Sequence, residues 1–290
     1  MPKKQPQRRK AGPSKRRRPA SDASTKRAGY LLALAVVAAI VYLVTSARNH
    51  PHRQIVPDGS LEYVKTNPML EEEIINYKGM TVSFNRSTHQ PNWVAWELLT
   101  SETDGENSRE SSFQTDPAVD GCATTDDYRN SGYDRGHMAP AGDMKWSPET
   151  MRESFLLTNI CPQAGELNRG AWKKLEEKCR QRAIADSAVV IVCGPVFIPG
   201  EGIERIGTTG VAVPRKFFKV ILSPYTDPPS AIGFIMPNSY VKGGMQTHAV
   251  SVDSVEALTG HDFFTALPDD VETTVEAQCD FNRWSRMPRR

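Results

Sequence analysis

The sequence predicts an α+β domain. Short β-prone stretches recur between Thr81 and Met236, and one long helix with a single apolar face covers Ala171 to Ala183. The two element types are mixed without internal repeat or the regular strand-helix alternation of a parallel sheet. Composition agrees: 39% apolar and 24% charged residues are the range of a folded globular chain, and five cysteines in 290 residues are too few for a disulfide-built scaffold.

In chain order, the first element is a basic tail. The formal net charge is +2, from 36 Lys+Arg against 34 Asp+Glu, yet residues 1–27 hold eleven basic side chains and one acid, Asp22. The remainder carries 25 basic and 33 acidic groups, so a basic tail is joined to an acidic body. Ala28 to Ala47 are uncharged, with a strongly apolar centre from Leu31 to Val44. A helix of about 20 residues spans a bilayer core of about 30 Å, so 28–47 is a transmembrane signal-anchor candidate. Thr45-Ser46-Ala47 would suit a signal peptidase, but the apolar run and the region before it are long for a cleaved signal. The flanking charge places the N-terminus in the cytoplasm and the body outside it, in a periplasm or at a cell surface. An Arg-rich, acid-poor start equally suits a mitochondrial inner-membrane protein facing the intermembrane space. Residues 48–60 read as a polar linker and 61–290 as the folded domain.

Within that domain, Thr81 to Phe84 and Trp93 to Leu99 predict an early hairpin, and residues 100–132, rich in Ser, Thr, Asp, Asn and Gly, predict mostly loop. Ser147-Pro148-Glu149 reads as a helix start, with Ser as cap and Pro in the first turn. In the helix Ala171 to Ala183, Trp172, Leu175, Cys179 and Ala183 fall within an arc of about 80°. Glu176 lies beside that arc, pointing to the interior rim or pairing with Arg180 at i+4. Ala188 to Val192 is a continuous apolar strand ended by Gly194-Pro195. Phe217 to Leu222 and Ala231 to Met236 read as strands, and Ser254 to Leu258 as a short helix closed by Gly260.

Chemistry concentrates in Asp134-Arg135-Gly136-His137, within Ser131 to Ala141. An imidazole takes protons near neutral pH, and a guanidinium grips a phosphate through paired hydrogen bonds. With a metal ion to offset leaving-group charge, these suffice for phosphodiester hydrolysis. The segment resembles the Asp-Arg-Gly-His signature of the DNA/RNA non-specific endonucleases, the family of the Serratia-type secreted nucleases and mitochondrial endonuclease G. Leu157-Thr158-Asn159-Ile160-Cys161-Pro162-Gln163, Leu167-Asn168-Arg169-Gly170-Ala171-Trp172 and Leu175-Glu176 follow in the family's order, with weaker likeness at Pro91 to Leu98 and Leu258 to Phe264. The resemblance covers roughly residues 61–268.

It implies a ββα-metal (His-Me finger) nuclease domain, with a central mixed or antiparallel sheet flanked by helices. It implies His137 as general base, Asn168 as the direct ligand of Mg²⁺, replaceable by Mn²⁺, and Glu176 as holder of the metal's waters. Arg135 and Arg180 would stabilise the phosphate, and Asn159 would orient the region of His137 or Asn168. Because the body is net acidic, a polyanionic substrate must be held by a local patch around Arg135, Arg169 and Arg180. DNA and RNA are the expected substrates, the membrane is contacted through 28–47, and a homodimer and an inhibitor protein are further candidate partners. Two other readings stay open: a nuclease-like module that binds nucleic acid without cutting, and hydrolysis of another phosphodiester such as a lipid head group.

His50 and His52 read as solvated linker residues, and His89, His248 and His261 show no ligand-like spacing. The five cysteines would face an oxidising compartment in the expected topology, which allows one or two disulfides. Cys179 and Cys193 read equally well as small core residues.

Overall fold

A computed structural model describes residues 60–286 except 199 and 201. The basic tail, the expected membrane span 28–47 and nearly all of the linker lie outside the described residues, as do His50 and His52. Among the described residues no helix is long and apolar enough to cross a membrane.

The early hairpin forms as expected and seeds the sheet. β1 (Glu73–Asn76) pairs with β2 (Thr81–Asn85), which pairs with β3 (Gln90–Leu99) across a register shift between Ser83 and Phe84. β4 (Asp134–His137) and β5 (Ile160–Gln163) form a separate two-stranded ribbon. β6 (Ala188–Val196) lies beside β3, and after a small hairpin of β7 (Arg205–Ile206) and β8 (Val211–Ala212) come β9 (Lys216–Ser223), β10 (Ser230–Pro237) and β11 (Ala249–Val250). The large sheet has seven strands in the order β1-β2-β3-β6-β9-β10-β11, antiparallel throughout.

β6 runs four residues further than expected, through Gly194-Pro195 to Val196. Its pairing with β3 ends at Cys193, whereas its pairing with β9 continues to Val196. Pro195 therefore has one strand neighbour, where a missing N–H is tolerated. Gly194 is needed there because a Cβ would lie 2.2 Å from the carbonyl oxygen of Asn92.

The helices are α1 (Pro148–Ser154), α2 (Lys173–Asp186), α3 (Val252–Thr259), α4 (Asp269–Glu276) and α5 (Phe281–Ser285). α1 starts as read, with the Ser147 side chain accepting from the Glu149 N–H. α3 is capped by Ser251 and closed by Gly260 at φ 72°. α2 starts later than expected and runs on to Asp186. Ahead of it, Leu167–Trp172 winds as a wider π-type turn interrupted at Gly170 (φ −106°, ψ −107°).

Strand alternation divides the core between the two sheet faces. Phe217 and Ile221 of β9 join Val94, Trp96 and Leu98 of β3 on one face, where the predicted stripe Trp172, Leu175, Cys179 and Ala183 packs down. Phe218, Val220 and Leu222 join Trp93 and Ala95 on the other, beneath Val252 and Val255 of α3 and Val275 of α4. Burial of each such side chain contributes about 1.5–3 kcal/mol.

None of the five cysteines is in a disulfide, so that expectation is corrected. Four are separately buried, and Cys193 donates to the Met138 carbonyl (3.3 Å). They serve as small core residues.

Candidate active site

β4 sets out the motif residues. Gly136 lies opposite Cys161 in the ribbon, and a Cβ on it would come within 2.5 Å of the Gln163 side chain, so glycine lets the two strands close. β4, β5 and α2 follow one another in ββα order: His137 ends the first strand, Asn168 sits in the turn before the helix, and Glu176 lies on its first turn. Trp172 ties helix to strand by donating from Nε1 to the His137 carbonyl (3.3 Å).

The three elements enclose a half-open cleft of 330 Å³ lined by Arg109, Arg135, His137, Asn168, Arg169, Lys173, Glu176 and Arg180, with Pro140, Ala141 and Gly142. Five cationic side chains and one carboxylate thus line the cleft.

His137 is 8% exposed, and its Nε2 has no hydrogen-bond partner. Its ring packs against Phe155 (4.8 Å, edge-on) and Phe113 (5.2 Å). Burial, helped by the nearby Arg109 charge, pushes its pKa down to about 3, so the imidazole is neutral at physiological pH. Glu176 is half-buried; burial raises its pKa to about 7 although Lys219, Arg180 and Arg109 oppose the rise.

The Asn168 amide donates from Nδ2 to Asp134 Oδ2 (3.0 Å), and Arg169 bonds both oxygens of the same carboxylate (2.8 and 2.9 Å). Arg135 donates to the Thr125 carbonyl (2.8 Å), and its guanidinium lies over the rings of Phe113 (5.5 Å) and Tyr128 (5.7 Å). Arg180 does not pair with Glu176. It donates instead to the buried carboxylate of Asp143 (2.7 Å), which also accepts from Trp96 Nε1 (3.2 Å).

Asn159 is the one expected site residue that does not line the cleft. It is buried behind it, bonding the backbone N–H and C=O of Ala139 (2.9 Å each) and the Ser154 carbonyl (2.8 Å). Its own carbonyl accepts from Met138 N–H. Its bonds fall on Met138 and Ala139, immediately after His137.

Three residues in or behind the cleft carried no legible signal. Arg109 comes from the polar loop and lies 5.0 Å over the Phe155 ring. Lys173 is at the helix start, where nothing separates it from other surface lysines. Lys219 sits inside an apolar strand, fully buried, its Nζ over the rings of Trp172 (4.5 Å) and Trp96 (5.0 Å). Burial alone would lower its pKa, but Cys193, Cys179, Glu176 and Asp143 outweigh this and raise it. The remaining described histidines hold backbone: His89 binds the Gly121 carbonyl, His248 that of Ile235, and His261 accepts from Asn67 N–H.

Residues 58–270 match the family model for DNA/RNA non-specific endonucleases. The chain belongs to that family. This nuclease is 37% identical to mitochondrial nuclease EXOG of Danio rerio over 230 residues, 72% of this chain and 67% of that protein. It is 35% identical to mitochondrial Nuclease 1 of Schizosaccharomyces pombe over 229 residues, 71% and 70% of the two chains. Among solved structures it is similar to a chain from the EndoG/EndoGI complex, with a TM-score of 0.65 and 29% identity, covering 68% of this chain and 88% of that one. The α+β fold with a central antiparallel sheet is therefore shared, and the nuclease is a hydrolase of the endonuclease class.

Proposed function

We propose that the nuclease is a membrane-anchored enzyme that hydrolyses phosphodiester bonds of DNA and RNA, uses Mg²⁺ with Mn²⁺ as substitute, and leaves 5′-phosphate and 3′-hydroxyl ends. The supporting observation is a neutral imidazole lining a cleft that also holds five cations and an amide oxygen.

The cleft fits a hard divalent ion. Asn168 spends its NH₂ on Asp134 and keeps Oδ1 as an oxygen donor, and Glu176 supplies carboxylate oxygens. Asn168 would hold the ion and Glu176 its waters; once bound, the ion offsets charge on the departing 3′ oxygen. Arg135 and Arg180 grip the phosphate, while Arg169 and Lys173 draw the neighbouring backbone into the cleft. A water in the cleft beside the His137 ring loses its proton to it and attacks phosphorus in line. Asn159 keeps that ring in place through Met138 and Ala139. Recognition rests on phosphate rather than base edges, so little sequence preference is expected.

Residues 1–27 and 28–47 act as topogenic tail and anchor, with the domain across the membrane. The mitochondrial names of two relatives support the mitochondrial location over a periplasmic or cell-surface one. The similar solved structure was determined with an inhibitor of EndoG, which supports an inhibitor as partner here. Plasmid nicking tests the reading: Mg²⁺ should permit cleavage, EDTA should abolish it, and His137→Ala should slow it about 10²- to 10⁴-fold. Nucleic-acid binding without nicking, or turnover of a lipid phosphodiester alone, would replace it.

A further inference from the structure

A second acidic constellation lies where α3 and α4 pack beneath the sheet face opposite α2. Asp253 and Glu256, one turn apart on α3, meet Glu276, the last residue of α4. One carboxylate oxygen from each lies within 4.8 Å of the other two. An acidic cluster on a surface is ordinarily a solvated one, but here one member is interior. Glu276 is 6% exposed, and its Oε1 has no hydrogen-bond partner. A buried carboxylate oxygen left unpaired costs several kcal/mol unless it is protonated or meets a cation.

No basic residue occurs in α3 or α4. The ionisable groups that face Glu276, namely Glu256, Glu272, Asp253 and Asp262, are all acidic. Asp262 has its own partner in Lys65 (3.6 Å). Glu256 gives one oxygen to the Phe263 N–H (2.8 Å). Glu276 also stands at the negative end of the α4 dipole, which favours a cation there.

We propose that Asp253, Glu256 and Glu276 bind a hard divalent cation, Ca²⁺ in preference to Mg²⁺, that clips α3 to α4. Carboxylate oxygens without thiol or imidazole select the Ca²⁺, Mg²⁺ and Mn²⁺ class. Ca²⁺ is favoured within it because it accepts six to eight oxygens in flexible geometry, whereas Mg²⁺ demands a near-ideal octahedron. Asp253 is exposed and opens a route for the ion, while waters complete its shell. The site is structural and separate from the catalytic cleft, so it does not depend on how the cleft works.

The test is equilibrium dialysis of the full chain against Ca²⁺ after chelator treatment, with thermal unfolding, in an Asn168→Ala background that removes the cleft's metal ligand. The expected result is one Ca²⁺ per chain and a Tm rise on the order of 5 °C at a hundredfold excess over Kd. Adding Glu276→Gln should weaken binding at least tenfold and abolish the rise. If that variant fails to fold, the pair Asp253→Asn and Glu256→Gln reads the same loss from more exposed positions. Absence of Ca²⁺ binding in the Asn168→Ala chain overturns the proposal. So does binding that survives these substitutions, and so does a Ca²⁺-free Glu276→Gln chain that gains stability while its parent binds no ion, since Glu276 would then be a neutral buried acid.

Discussion

Asp134 accepts a hydrogen bond from Asn168 Nδ2 at 3.0 Å, joining the first residue of the Asp-Arg-Gly-His strand to the turn before α2. The bond leaves Asn168 Oδ1 as the atom for a cation. Asp134→Ala should raise the Mg²⁺ concentration for half-maximal nicking about 10- to 100-fold while saturated turnover falls less. Metal titration of the rate checks it, and an unchanged midpoint would show that Asn168 needs no such support.

His137 gives a pH prediction. Its pKa is lowered to about 3 by burial and by Arg109, so the free enzyme holds a neutral base far below pH 6.5. The acid limb of kcat/KM should lie well below the ordinary histidine value, and Arg109→Met should move it upward. Bound phosphate favours the imidazolium, so the limb of kcat should lie higher than that of kcat/KM. His137→Ala should cost about 10²- to 10⁴-fold in rate.

For Glu176 the shift runs the other way, up to about 7 from an ordinary value near 4.5. The folded state binds the proton more tightly, so this contribution to stability is present below about pH 4.5 and lost as pH rises through about 7. In EDTA, Glu176→Gln should match the parent chain near pH 4 and exceed it at pH 8 by about 1–2 kcal/mol, allowing for partial exposure. Chemical denaturation at the two pH values checks this, and equal differences at both would contradict it.

The cleft arginines should separate by what holds them. Arg180 pairs with a fully buried Asp143, so Arg180→Ala strands that charge and should cost about 3 kcal/mol of stability besides activity. Arg169 is largely exposed, and Arg169→Ala should leave stability within about 0.5 kcal/mol, weaken substrate binding and lessen its salt dependence. Unfolding curves beside KM at two salt concentrations distinguish the two.

If residues 1–27 serve membrane topology and the cleft holds the substrate, as proposed, deleting 1–27 should leave turnover of the nuclease unchanged. A large drop in kcat would put the tail in the catalytic machinery.

The apolar stripe of α2, the early hairpin, the strands at Phe217 and Ala231 and the cap of α3 could all be read from periodicity and end signals, because these depend on neighbours within a few residues. The order of Asp134, Arg135, His137, Asn168 and Glu176 was legible through the resemblance to the endonuclease family, whose motif order these residues follow. What depended on distant partners was not. Gly194-Pro195 looks like a strand end until β6 is seen to stay paired with β9 after its pairing with β3 ends at Cys193, and Arg180 looks like the i+4 partner of Glu176 until Asp143 is seen 37 residues away. Arg109 is one more polar loop residue until it is seen over the Phe155 ring, its charge felt by His137. Lys219 gives no sign in sequence that two tryptophans will enclose its charge. Local sequence determined which segments become helix or strand and which residues form the motif. The tertiary structure alone decided which charges are buried, what each is paired with and therefore which proton each holds, because desolvation and Coulomb terms arise from groups that meet only when the chain has folded.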